Sequence, residues 1–148
     1  MARRKIPPLQ IETPEQVEQR FYEALQRADI DALMGVWADD DDISCVPPGG
    51  PRLIGDGPIR SAFEAIFANG AVDASARQVR RLQSSACAVH SVLEQIEVKT
   101  AQGPQTAWVL ATNVYVLGAT GWRMVAHHAS PGTGHELQEQ VEAASVLH

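Results

Sequence analysis

A chain of 148 residues suits a single domain with a real core. Hydrophobic residues make up 45% and charged ones 20%, the balance of a globular protein, and no apolar run approaches the length of a membrane span. A formal net charge of −6 argues against nucleic acid as the main partner, because phosphate binding needs a basic surface.

Two cysteines, Cys45 and Cys87, make no disulfide framework, so both are expected to be reduced. The opening MARRKIPPLQI has basic residues but no apolar segment after them, which does not fit a signal peptide. The expectation is a cytoplasmic protein with no membrane partner.

Residues 1–12 carry Pro7 and Pro8 and no periodicity, and are expected to form a flexible arm. Thr13-Pro14-Glu15-Gln16 is a capping box, with a Thr cap, Pro at the first helical position and Gln three residues after the cap. Val17, Phe21, Ala24, Leu25 and Ala28 follow at helical spacing, which leaves Glu18, Gln19, Glu23 and Gln26 to water. Asp29 can cap a second short helix, in which Ile30, Leu33, Met34 and Trp37 share a face. The run Asp39-Asp40-Asp41-Asp42 ends it, since carboxylates oppose the dipole at a helix C-terminus.

Ile43-Ser44-Cys45-Val46 reads as a short strand, and Pro47-Pro48-Gly49-Gly50-Pro51 turns the chain toward a short return at Arg52-Leu53-Ile54-Gly55. Pro58 marks the first turn of a third helix, with Ile59, Phe63, Ile66 and Phe67 on its stripe and Asn69-Gly70 as its stop. Residues 74–84 and 86–100 read as long strands, and residues 107–131 as a hairpin around Gly118-Ala119-Thr120-Gly121. Beyond Gly134 a weakly amphipathic segment suits a frayed helix or loose tail. Helices first and an antiparallel meander afterwards define an α+β fold, here three helices packed in a strongly bent sheet over residues 13–131. A sheet bent over helices makes a cone, whose concave mouth is a default ligand site.

The order of elements, together with the stretches RADIDALMGVWADDDDISCVPPGGPRLIG, IRSAFEAIF and ATNVYVLGATGWRMVAHHASP, resembles the nuclear transport factor 2-like superfamily. That group includes ketosteroid isomerases, SnoaL-like polyketide cyclases, some dehydratases and many small bacterial proteins of unknown role. The resemblance implies a cone-shaped pocket and a homodimer formed through the outer face of the sheet. It does not extend to ketosteroid-isomerase chemistry. Cys45 stands in the stretch where the general-base Asp belongs, and Phe21 at the position of the oxyanion-hole Tyr, with Tyr22 on an adjacent helix face.

The chemistry-bearing residues concentrate in the last hairpin. Successive strand residues point to opposite faces, so at most one of His127 and His128 enters the cone. A four-residue turn pairs Leu117 with Trp122, Tyr115 with Met124, Asn113 with Ala126 and Ala111 with His128. Tyr115, Asn113 and His128 then share one face, and His127 lies on the other. Such a triad can orient a ligand carbonyl or carry a proton. A histidine satisfied at the end of the sheet explains the same residues without a function. Opposite faces also rule out a shared metal ion, and no metal or cofactor is expected.

Elsewhere, Trp37 fits the core or a ligand wall, and Cys45 a small hydrophobe, since no base for a thiolate is visible beside it. His90, in mid-strand, is read as structural or surface. The Asp39–Asp42 run is read as a solvated loop, and if any of its carboxylates reaches a pocket rim it is Asp41 or Asp42. Arg77 and Arg81 share a strand face that Arg80 does not.

Three functions follow. The first is a domain binding a small, largely apolar ligand through Trp37, Cys45, Asn113, Tyr115 and His128. The second is a cyclase, isomerase or dehydratase with His127 or His128 as acid/base and Asn113 as polarising donor. The third is a protein-interaction module.

Overall fold

A computed structural model describes residues 10–132 and 141–142. The arm expected before residue 10, and most of the tail expected beyond Gly134, lie outside the described residues. Three helices come first, as the caps and periodicities predict. They are α1 (Pro14–Arg27), α2 (Ile30–Gly35) and α3 (Asp56–Phe67). The hydroxyl of Thr13 accepts from the Gln16 amide and the carboxylate of Asp29 accepts from the Ala32 amide, so both sequence-read caps form. Helix α2 ends at Gly35, two residues short of the end of its apolar stripe, and Trp37 lies in the extended segment beyond it. None of the described helices is long and apolar enough to cross a membrane.

Six strands form one curved open sheet in the order β2-β1-β6-β5-β4-β3. They are β1 (Ser44–Val46), β2 (Leu53–Ile54), β3 (Asp73–Gln83), β4 (Cys87–Thr100), β5 (Gly103–Gly118) and β6 (Gly121–Pro131). The Pro47–Gly50 turn between β1 and β2 is closed by a 2.8 Å bond from the Gly50 amide to the Pro47 carbonyl, with Gly49 at φ 71° after Pro48. Strand β1 runs parallel to β6, Cys45 beside His127, and β3 to β6 form the expected antiparallel meander.

Helix α1 crosses the inner face of this sheet and contacts β3, β5 and β6. Its Val17, Phe21, Ala24 and Leu25 join Leu33, Ile43, Ile59, Phe63, Tyr115 and Met124 in the core. Ile11, placed by the sequence reading in the arm, is instead fully buried in a parallel bridge to Gly121.

Two irregularities reset the strand faces. In β6 the register to β5 shifts between Tyr115↔Met124 and Val114↔Ala126, leaving Val125 as an extra residue. In β3 it shifts between Arg77 and Arg80, where Gln78 takes a left-handed φ of 46°. Strict alternation therefore fails at both places. Asn113 pairs with His127 rather than Ala126, and His128 pairs with Thr112 on the outer face rather than with Ala111 on the inner one. Likewise Arg77 and Arg80 share the outer face, opposite Leu93 and Ser91, while Arg81 turns inward beside His90.

Gly121 begins β6 at φ 97°, and an added Cβ would lie 2.2 Å from the Ile11 carbonyl oxygen. That carbonyl also accepts from the Trp122 amide at 2.8 Å. Gly121→Ala is therefore expected to cost roughly 2–4 kcal/mol in urea denaturation, combining backbone strain with the displaced bridge. Gly118→Ala, across the same turn, meets nothing within 4 Å and is expected to be neutral or slightly stabilising.

Candidate functional site

The inner face of the sheet carries two adjacent cross-strand rows with polar groups in an otherwise apolar core. One runs Cys45, His127, Asn113, His90, Arg81 across β1, β6, β5, β4 and β3. The other runs Trp37, Met124, Tyr115, Ala88, with Trp37 joined to Met124 by a parallel bridge. Cys45, Asn113, Tyr115, His90 and Met124 are all fully buried, and His127 is buried with them.

Helix α1 supplies the facing groups. Glu18, Tyr22 and Leu25 lie at i, i+4 and i+7 on one side of it, and all three are buried. Glu18, assigned to water from the pattern alone, instead meets His90 Nδ1 at 2.5 Å. Arg81 lies 3.5 Å from Glu18 and 3.6 Å from Glu15, which closes this ionic cluster at the solvent edge. The Tyr22 hydroxyl donates to Glu94 at 2.7 Å and accepts from Asn113 Nδ2 at 3.1 Å. Asn113 Oδ1 then meets His127 Nδ1 at 2.5 Å. A continuous buried chain thus runs Glu94–Tyr22–Asn113–His127.

Burial sets the charge states here. It pushes the Glu94 carboxyl up to about 7, against the opposing hydrogen bond from Tyr22. It pulls His127 down to about 4, with neighbouring His128 adding to the shift, so His127 is neutral at physiological pH. Burial, then the nearby Glu94, raises the Cys45 thiol to about 12, which leaves it a packing group rather than a nucleophile. Both tyrosines are raised, chiefly by burial, and stay protonated.

The Trp37 indole Nε1 is buried without a hydrogen bond, and the buried Tyr115 hydroxyl, with the Asn113 amide beside it, makes none of good geometry; the two residues flank Met124. His90 Nε2 also makes none and has Glu15 at 3.8 Å.

The structure thus brings together Trp37, Cys45, Asn113, Tyr115 and His127 of the residues singled out in the sequence. It leaves His128 exposed on the outer face. Asp39 to Asp42 are all exposed. Tyr22, Glu94, His90 and Glu18 were missed as functional candidates. Their signal was present in the parity of β4, where Ala88, His90, Val92 and Glu94 alternate inward, and in the helical spacing of Glu18 and Tyr22. Among the described residues no group of three or more His, Cys, Asp or Glu is placed to hold a metal ion.

Over the acidic range the two shifted groups oppose each other. Glu94 binds its proton more tightly folded, so its contribution to stability is lost as pH rises from its ordinary 4.5 through about 7. His127 binds its proton less tightly folded, so its contribution is lost as pH falls from its ordinary 6.5 through about 4. Glu94→Gln should leave the His127 slope, with relative stability falling by up to about 3 kcal/mol on acidification through that window. His127→Gln should leave the opposite slope, with stability falling as pH rises from 4.5 to 7. Urea denaturation of both variants against wild type between pH 4 and 8 reads these slopes directly.

Comparison with known proteins agrees with this architecture. Residues 15–134 match the family model for the SnoaL-like domain. A solved structure from Thiobacillus denitrificans, described as a proposed calcium/calmodulin-dependent protein kinase type II association domain, is 34% identical with a TM-score of 0.76; the match covers 86% of this chain and 100% of that one. A proposed dehydratase of the nuclear transport factor 2-like family from Streptomyces avermitilis is 28% identical with a TM-score of 0.71, over 79% of this chain and 92% of that one. A nuclear transport factor 2-like protein of unknown function from Pseudomonas putida is 17% identical with a TM-score of 0.67, over 86% and 93%. No curated protein matches the sequence. With the family match spanning most of the chain, and helices lying on one face of a curved meander sheet, the chain belongs to the SnoaL-like domain family of the nuclear transport factor 2-like superfamily.

Proposed function

We propose that the inner face of the sheet receives a small, largely apolar molecule whose polar end seats among Trp37, Tyr115, Asn113 and His127. The observation that carries this reading is the buried Trp37 Nε1, which makes no hydrogen bond, near a Tyr115 hydroxyl that makes none of good geometry. A buried polar group left unsatisfied costs roughly 1–3 kcal/mol, and such a donor suits a ligand that supplies its hydrogen bond. The surrounding core is apolar, with Phe21, Phe63, Ala111 and Ala129 buried nearby, so on this reading affinity comes from burial and orientation from the few polar groups. A fragment screen read by thermal shift tests this. Trp37→Phe should leave the ligand-free melting temperature nearly unchanged and abolish most of the ligand-induced shift. Equal shifts in wild type and variant would remove Trp37 from the site.

A second reading, an enzyme of the cyclase, isomerase or dehydratase kind, is supported by the opposite displacement of two groups in one hydrogen-bonded chain. Glu94 at about 7 can hold a proton near neutrality, and neutral His127 can accept one. Turnover of small hydroxy- and keto-compounds should then be lost in His127→Ala and retained in His128→Ala. Loss in both, or in neither, would count against it.

For the outer face we propose a second copy of the chain. The support is the half-exposed Leu110 and Val116 there, a groove of about 440 Å³ floored by Ser91, Thr112 and His128, and the association-domain description of the Thiobacillus denitrificans relative. Light scattering after size exclusion should give a dimer mass that Leu110→Lys converts to monomer, without change in circular dichroism.

A further inference from the structure

The direction of each hydrogen bond in the buried chain can be followed from donor to acceptor. An ionised Glu94 only accepts, so the Tyr22 hydroxyl spends its one proton on it at 2.7 Å. The Tyr22 oxygen then accepts from Asn113 Nδ2 at 3.1 Å, which fixes the Asn113 amide with Oδ1 toward His127. An amide oxygen has no proton to give. The nitrogen facing it at 2.5 Å, His127 Nδ1, must therefore carry the hydrogen.

We infer that Glu94, Tyr22 and Asn113 are positioning residues that hold His127 as the Nδ1–H tautomer, so that Nε2 presents a lone pair and selects a ligand carrying a hydrogen-bond donor, a hydroxyl, at its polar end. This differs from the expectation from the sequence, in which the histidine serves as acid/base and Asn113 as the polarising donor toward a ligand. Both polar groups of the Asn113 amide are engaged within the chain, one by Tyr22 and one by His127. Trp37 Nε1, a donor only, complements the selection by taking an acceptor oxygen elsewhere on the same molecule. The ligand class is thus an apolar body bearing both a hydroxyl and a carbonyl or ether oxygen. Burial keeps the imidazole neutral, and a reversed chain would need Glu94 protonated and the Asn113 amide turned over. The donor requirement holds for a ligand seated on the inner face as proposed above, and so rests on that reading; the tautomer does not.

The test is nitrogen NMR of the full chain with 15N-labelled histidine at pH 8, where Glu94 is ionised. Wild-type His127 should show a protonated Nδ1 and an unprotonated Nε2. Tyr22→Phe, which uncouples Asn113 from Glu94, should mix in the Nε2–H form, and Asn113→Leu should make that form dominant. The Tyr22 variant keeps the test intact if the Asn113 variant fails to fold. A wild-type Nε2–H signal, or a tautomer unmoved in every folded variant, would overturn the assignment. Titration with 2-naphthol and its methyl ether, as probes that differ in the donor, should move the Nε2 resonance for the naphthol alone. Equal movement by both would overturn the donor requirement. No response to either, with the tautomer as assigned, would count against ligand binding on the inner face and leave the hydrogen-bond chain standing.

Discussion

The hydrogen bond between Asn113 and His127 depends on one extra residue in β6, and the polar interior depends on that bond. Val125 stands outside the ladder, so Met124 and His127, three residues apart, both point inward. Without the bulge, His127 would face outward and the chain from Glu94 through Tyr22 and Asn113 would end on an alanine. With it, four side chains from α1, β4, β5 and β6 form one path through a core that is otherwise apolar. Buried networks of this kind are favourable only when satisfied, because each unpaired group carries its full desolvation cost. The chain from Glu94 to His127 is paired along its length. Trp37 Nε1 next to it is not.

On the reading proposed above, the paired part fixes charge and tautomer before a ligand arrives, which is what preorganisation requires, and the Trp37 indole leaves a hydrogen bond for that ligand to complete. Cys45 sits in the same row as His127 but contributes only volume, since its thiol stays protonated. The second ionic cluster, Glu18 and His90 with Arg81 and Glu15, ties α1 to β3 and β4 at the edge of the same face. It fixes the helix that carries Tyr22.

The fold was legible in the sequence because its signals are local. The Thr13 capping box, the Asp29 cap, the apolar stripes of the helices and the glycine-bounded turn after β5 each act within a few residues. They agree with one another, and together they specify an α+β meander. The site was legible only in part. Asn113, Tyr115, Trp37 and Cys45 do converge, and only one of the two histidines is inward, as strand parity requires. Which of the two is inward stayed open in the sequence, and the trial register favoured His128 because alternation was carried unbroken from the turn. A bulge is set by pairing to a distant strand and leaves no reliable mark in its own few residues. The same blindness placed Arg81 beside Arg77, across the left-handed Gln78. Glu18 and Glu94 were overlooked for a different reason. A carboxylate in a pattern is assigned to water unless its partner is known, and both partners, His90 and Tyr22, lie 72 positions away in the chain.

Everything proposed for the interior therefore rests on the register of β6 against β5. Backbone nuclear Overhauser contacts across that strand pair measure it directly in solution. Cross-strand contacts should join Asn113 to His127 and Thr112 to His128, with Val125 lacking a partner. Contacts joining Asn113 to Ala126 and Ala111 to His128 would contradict it, since the bulge would be absent and the inward histidine would be His128.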